Sequence, residues 1–242
     1  MPPLLSVIIP AHNEERRLPG SLAQILGFLH TQSYTAEVLV VENGSLDRTA
    51  EVARSYADRY ANVRVFIEPS RGKGRAVRRG MLEALGDYRF ICDADLSMPI
   101  EQVNHFIPPA LETVDVAIAS REAPGAVRYG EPAYRHTIGR AFNLLVRLTA
   151  LPGLQDTQSG FKCFSASSAR DLFAVQRLDG LGFDVEVLYV ARLRRYRVIE
   201  IPIPWYFNAD SRVRLLRDSW TMLTDLIRIR LNAARGLYAP RP

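Results

Sequence analysis

Phe90-Ile91-Cys92-Asp93-Ala94-Asp95-Leu96-Ser97 runs three apolar residues straight into two carboxylates one residue apart. A short apolar run of this kind predicts a buried strand. Aspartate is disfavoured inside strands, so Asp93 and Asp95 belong where the strand ends and the chain emerges. Open α/β sheets bind ligands outside the carboxyl ends of their strands. Hard carboxylate oxygens there suit Mg²⁺ or Mn²⁺, and Mg²⁺ is usually held by one or two carboxylates plus substrate phosphates. The chemistry would be a metal bridging protein to a diphosphate. The alternative is a pair of solvated turn aspartates, and Asp-x-Asp alone does not separate the two.

The neighbouring elements place more polar groups in the same position. Leu4–Ile9 reads as a strand stopped by Pro10 and followed by the polar loop Ala11–Arg17. A helix follows, with Leu22, Ile25, Leu26 and Leu29 at helical spacing. Glu37–Val41 is a second strand ending in Glu42-Asn43-Gly44-Ser45, where Asn-Gly signals a turn and Ser45 is placed to cap a helix running to about Tyr60. Val63–Ile67 is a third strand, and the basic glycine loop Arg71–Arg75 precedes a helix to about Leu85. This alternation implies a parallel sheet covered on both faces. Asn13-Glu14, Glu42-Asn43, Lys73, Asp93/Asp95 and Arg121 would then meet on one edge of that sheet. Any one of them is more simply a solvated loop residue; the set argues for a site.

The second half is less regular. Val114–Ser120 is a strand, residues 122–133 read as a mobile loop broken by glycine and proline, and a helix spans about 134–150. Phe161–Phe164 is strand-like, 184–195 helical, and Val198–Ile203 a strand closed by prolines. The last helix, about 214–235, carries Leu216, Trp220, Leu223, Ile227, Leu231 and Ala234 on one stripe among Arg214, Arg217, Arg228, Arg230 and Arg235. No repeat or linker divides the 242 residues, so one domain is expected, with a ligand-binding half over about 1–120 and a second half over about 121–242.

Composition bounds the rest. The formal charge of +5 and pI of about 9.4 favour an anionic partner. Cys92 and Cys163 lie in apolar runs and read as buried free thiols of a reducing compartment. No run reaches the roughly 18 apolar residues of a spanning helix, and no signal peptide is evident. His12, His30, His105 and His136 lack metal-ligand spacing.

Taken together, the chain resembles a family 2 glycosyltransferase of the GT-A fold. Ser6–Glu14 is similar to that family's opening strand and nucleotide loop, Val41–Thr49 to its second-strand motif, and Asp93-Ala94-Asp95 to its metal and diphosphate motif. Arg71-Gly72-Lys73-Gly74, Asp156–Lys162, Gly182–Glu186 and Ser211–Arg214 resemble the polyprenyl-phosphate sugar synthases, above all the dolichyl-phosphate β-glucosyltransferase branch, with dolichyl-phosphate mannose synthases as related enzymes. The chain departs from the pattern at Glu42-Asn43, where two aspartates are usual, and at Ser97, where mannosyl relatives usually have Gln. Members of the branch often carry a membrane segment.

The resemblance implies an α/β, Rossmann-like GT-A fold, a mostly parallel sheet with helices on both faces and a C-terminal amphipathic helix. It implies an inverting transfer of glucose from UDP-glucose to a polyprenyl phosphate, dependent on Mg²⁺ or Mn²⁺. Asp95 would ligate the metal; Asp93 would meet the ribose or a metal-bound water. Lys73 would meet the base or a phosphate, and Pro10, Ala11, Asn13, Glu14, Glu42 and Ala94 would hold the nucleoside diphosphate. Glu14 reads equally as a charge facing a helix N-terminus. Ser97, Arg121, Arg135 and Arg212 resemble acceptor-phosphate contacts, with Arg135 also readable as a solvated helix residue. Asp156 and Gln158 would touch the donor sugar, orient Arg135 or brace Lys162. A phosphate monoester is largely ionised at pH 7, so such an acceptor needs cations to position it and no general base. The helices at about 134–150 and 214–235 would touch an anionic membrane, placing the protein at the cytoplasmic face of the cell membrane. The competing readings are transfer from GDP-mannose or to a soluble acceptor, and a non-enzymatic binder of an anionic surface. Nucleic acid is disfavoured, because aromatics are not interleaved with the basic residues and the strand-end acids repel phosphates.

Overall fold

The computed structural model describes residues 2–112, 114–208 and 215–239. The first half builds β1 (Leu5–Ala11), α1 (Leu18–His30), β2 (Ala36–Asn43), α2 (Thr49–Ala57), β3 (Val63–Glu68), α3 (Lys73–Glu83) and β4 (Tyr88–Ile91), followed by a 3-10 turn at Ile100–His105. The second half adds β5 (Val116–Ser120), β6 (Val127–Tyr129), α4 (Ala133–Thr149), β7 (Lys162–Ser165), α5 (Ala166–Val175), α6 (Phe183–Leu193), β8 (Val198–Pro202), β9 (Pro204–Tyr206) and α7 (Leu215–Ala234).

Seven strands form one sheet in the order β3-β2-β1-β4-β7-β5-β8. From β1 the chain winds outward to β2 and β3, then returns to place β4 on the other side of β1. This reversal of winding is a topological switch point, and the ends of β1 and β4 flank the crevice it opens. The strands alternate between two apolar layers. Ile8, Leu39, Val41 and Ile91 pack towards α3, α5, α6 and α7. Val7, Ile9, Val38, Val40 and Phe90 pack towards α1. Each such side chain, fully removed from water, contributes about 1.5–3 kcal/mol.

The structure departs from the sequence expectations at several points. The sheet is mostly parallel, as the resemblance implies, and its antiparallel member is β7, between β4 and β5, which simple strand–helix alternation does not give. The stretch 122–133 is not all loop: Val127–Tyr129 pairs with Pro204–Tyr206 in a small second sheet. The predicted strand 198–203 divides, with Ile203 turning the chain from the main sheet into that second one. Ser45 does not cap α2. Its hydroxyl accepts the Asn13 N–H (2.9 Å), and Asp47 accepts the Thr49 N–H (3.0 Å) at the helix start instead. Lys73 opens α3, so the basic glycine segment is half loop and half first turn. Helix α5, capped by Ser165 accepting from Ser168 N–H, had no counterpart in the sequence reading.

Candidate active site

The loops after β1, β2 and β4 converge at the switch point. Asn43, 2 % exposed, ties the ends of β1 and β2 to the entry of α3: its Nδ2 donates to Ala11 O (2.9 Å), its Oδ1 accepts from Gly72 N–H (3.0 Å), and its own carbonyl meets His12 Nδ1 (2.8 Å). Asn13 sits at a positive φ of 55°, which asparagine tolerates, and accepts the Leu46 N–H (2.7 Å). Glu42 is buried and accepts the Ser45 N–H (2.5 Å), so it shapes the turn beside the crevice. Glu14 is engaged by Arg17 through two hydrogen bonds (2.7 and 3.0 Å). Pro10 and Ala11 close β1, with Ala11 fully buried.

Beyond β4 the acidic pair takes shape. Asp93 Oδ1 pairs with Lys73 Nζ at 2.6 Å. The backbone at Gly160 presses against the same carboxylate so closely that a Cβ there would overlap it. Asp95 accepts the Ser97 N–H (3.0 Å), Ala94 O accepts the Ser21 hydroxyl (2.6 Å), and Leu96 between them holds a φ of +46°. A bulky residue in the left-handed region is strained, and such strain gathers at functional sites. Tyr206 N–H donates to Ser97 O (2.8 Å), tying the second sheet to this loop.

Charge alternates across the site. Burial, then the Asp93 charge, raises the Asp95 pKa against the Ser97 hydrogen bond and Lys73. Burial works to lower the Lys73 pKa, but Asp93 and Asp184 outweigh it and hold the ammonium charged. Asp184 is itself raised by burial and opposed chiefly by Lys162, whose Nζ lies 2.6 Å from Asp184 and 2.5 Å from Ser159 O. Lys162 and Asp184 were legible only as parts of motifs; no spacing rule joins residues on β7 and α6.

A second polar cluster lies across the crevice. Asp156 is fully buried and both its oxygens meet Arg121: Nε at 2.6 Å, Nη2 at 2.8 Å and the backbone N–H at 3.0 Å. Burial favours the neutral acid, yet Arg121 by charge and hydrogen bonds holds the Asp156 pKa down to about 2. Glu200 fixes this loop by accepting the Gln155 and Asp156 N–H groups (2.8 and 2.9 Å). Asp156 therefore orients Arg121. Arg135 instead stacks over Phe207 (5.0 Å), and Lys162, hydrogen-bonded to Asp184, acts on Asp156 through its charge. Gln158 Nε2 contacts Met222 Sδ (3.4 Å). Trp205 stands between Arg121 and Arg128, at 5.4 and 5.8 Å, a role the sequence did not signal. Arg212 lies outside the described residues.

Among the described residues no three His, Cys, Asp or Glu side chains converge as a closed metal cage. The donor set is two carboxylates beside a lysine, with burial and the Asp93 charge raising the Asp95 pKa. That fits a Mg²⁺ or Mn²⁺ completed by diphosphate oxygens.

This crevice lies at the switch point of a GT-A-like sheet, with two acids beyond the end of β4 and a lysine at the start of α3. Solved structures of glucosyl-3-phosphoglycerate synthase from Mycobacterium tuberculosis share the fold. One, holding Mn²⁺, UDP and phosphoglyceric acid, has a TM-score of 0.68 at 19% identity over 99% of this chain and 80% of that one. Another, with Mn²⁺, UDP-glucose and phosphoglyceric acid, has a TM-score of 0.65 at 20% identity over 94% of this chain and 79% of that one. Residues 6–173 match the glycosyl transferase family 2 model, and the chain belongs to that family. Dolichyl-phosphate beta-glucosyltransferases are similar along most of its length. That of Dictyostelium discoideum is 31% identical over 97% of this chain and 76% of its own. That of Homo sapiens is 31% identical over 97% and 77%.

Proposed function

We propose that this chain transfers glucose from UDP-glucose to a polyprenyl phosphate of the dolichyl type, with inversion at the sugar. The observation that carries the reading is the coincidence of two facts. The similarity to the dolichyl-phosphate beta-glucosyltransferases runs through nearly the whole chain, and its polar strand-end residues meet at the switch point.

Residues up to about 120 form the nucleotide-sugar half and those from about 121 the acceptor half. Pro10, Ala11, Asn13 and Glu42 shape the nucleoside seat, with Asn43 locking its walls together. Asp95, with Asp93 beside it, is the place for Mg²⁺ or Mn²⁺, which supplies Lewis-acid stabilisation of the diphosphate when bound. Lys73, held charged and placed by Asp93, adds a fixed positive charge beside the leaving diphosphate. An acceptor phosphate oxygen forms the new bond to the sugar C1 as the C1–O bond to the diphosphate breaks. Arg121, aimed by Asp156 and backed by Trp205, and Arg135 position that phosphate, and arginine suits bidentate phosphate contact.

The lipid tail needs a bilayer close by. Among the described residues no helix is long and apolar enough to cross a membrane. α4 and α7 pack side by side and expose Leu144, Leu148, Ile227 and Leu231, with Arg140, Arg147, Arg228, Arg230 and Arg235 exposed on the same helices and just beyond α7. Apolar side chains rimmed by arginines suit peripheral contact with an anionic surface. Titrating the protein with UDP in the presence and absence of Mn²⁺ tests the donor half of this reading. Metal-dependent binding is expected, and binding indifferent to both metal and Asp95→Asn would refute it.

A further inference from the structure

Lys162 on β7 and Asp184 on α6 form a buried ion pair that the transfer chemistry leaves without a role. Their side chains are 2% and 8% exposed, with Nζ and Oδ1 2.6 Å apart. A pair taken this far out of water is weak evidence for stability, because desolvating both charges offsets their attraction. Its place in the fold says more. The loop before β7 is pinned at both ends: Glu200 accepts the Gln155 and Asp156 N–H groups, and Phe161 O accepts the Ala119 N–H (3.0 Å). Between these pins the carbonyl of Ser159, a residue 1% exposed, accepts from Lys162 Nζ (2.5 Å). Gly160 follows, and its backbone lies so close to Asp93 that an added Cβ would overlap Oδ2. Asp93 Oδ1 meets Lys73 Nζ at 2.6 Å. The Asp184 charge also acts on the Lys73 ammonium, second among the carboxylates only to that of Asp93.

We propose that Lys162 and Asp184 are positioning residues: through Ser159 and Gly160 they hold the Asp93 carboxylate, and with it Lys73, where metal and diphosphate are received. The inference rests on the donor half of the reading above, in which Asp95 and Asp93 take Mg²⁺ or Mn²⁺. Lys162 seats the Ser159–Gly160 backbone, and that backbone limits where Asp93 can lie. Asp184 supplies the counter-charge that lets a buried ammonium do this, since a buried charge without its partner is strongly unfavourable.

The test replaces both partners at once, because an apolar pair of similar volume is often neutral for stability where a single replacement strands a charge. Lys162→Met/Asp184→Leu serves, with Lys162→Gln/Asp184→Asn in its place should the first fail to fold, and melting temperatures are checked before use. UDP is titrated calorimetrically with and without Mn²⁺ into the full chain, the pair variant, Asp93→Asn and the combination of the two. The expected result is a pair variant that binds UDP without metal as the wild type does, while the gain in affinity from Mn²⁺ falls by about tenfold or more. In the Asp93→Asn background, where Asp95 remains for the metal, the pair replacement should change that gain by no more than about twofold, because groups acting through one another are not additive. A purely structural pair would leave the Mn²⁺ gain of a folded variant intact. That result, or a loss that adds in full to that of Asp93→Asn, overturns the proposal. A wild type whose UDP binding ignores Mn²⁺ overturns the donor reading and the proposal with it, so the two failures are told apart.

Discussion

Asp95 concentrates the conflict the site is built on. Burial and the neighbouring Asp93 raise its pKa. A carboxyl whose folded pKa is raised destabilises the fold as pH climbs through that pKa, because the folded state must then hold an unwelcome charge. Asp95→Asn removes the charge and keeps the shape. At pH 7, without metal, its melting temperature is expected to equal or exceed the wild type, while transfer falls by about 10²–10³-fold, the range for deleting one group that stabilises developing charge. Calorimetry and a turnover assay check the two halves; near-normal turnover would remove Asp95 from the metal site. Asp156 has the opposite sign. Its pKa is held down to about 2 from the ordinary 3.8, so its pairing with Arg121 stabilises the fold fully above about pH 5 and is lost as pH falls through 4 towards 2. That difference corresponds to roughly 2 kcal/mol. Asp156→Asn should flatten the acid limb of the stability–pH curve by about this amount. It should also raise the acceptor KM about tenfold, the effect of roughly 1.4 kcal/mol, with UDP affinity retained. Loss of UDP affinity instead would assign Arg121 to the donor.

At the scale of elements, close backbone approach is what the sequence hid. Gly160 on the loop before β7 leaves room for Asp93 and no more. Gly160→Ala should displace the carboxylate from Lys73 and lower transfer at least tenfold with little change in unfolding midpoint; full activity in a folded variant would show that Asp93 can move freely. Asn43→Ala breaks the two side-chain hydrogen bonds between β1, β2 and the α3 entry. A loss of about 2–3 kcal/mol is expected in denaturant melts, from two buried bonds at roughly 1 kcal/mol each and the groups left unpaired. The sequence showed the strands β1, β2 and β4 and the helix α1 because apolar periodicity carries them, and it placed Asp93 and Asp95 correctly at a strand end. It could not show that β7 inserts antiparallel, since four residues, Lys162–Ser165, carry no direction. Nor could it pair Arg121 with Asp156 or Lys162 with Asp184, because those contacts depend on how β5, β7 and α6 meet in space. Ser45 misled because Asn-Gly-Ser looks like a cap, whereas the hydroxyl is taken by the β1 loop.

At the scale of the molecule, the arginines on and just beyond α7 give a salt-sensitive handle. Arg228→Gln/Arg230→Gln/Arg235→Gln should weaken sedimentation with anionic vesicles by about tenfold or more, since a basic residue at such a surface contributes about 1 kcal/mol. Raising salt should weaken the wild type similarly. Indifference of the wild type to anionic vesicles at low salt would favour a soluble acceptor. The central claim is the transfer itself. Its most direct measurement is incubation of the protein with UDP-glucose, Mn²⁺ and a polyprenyl phosphate in detergent, with the lipid product identified by mass. Glucosyl phospholipid formed in step with UDP release, and abolished by chelation and by Asp95→Asn, is the expected result. A protein that binds UDP with Mn²⁺ yet forms no glucosyl lipid, or that glycosylates the lipid only from GDP-mannose, would contradict it.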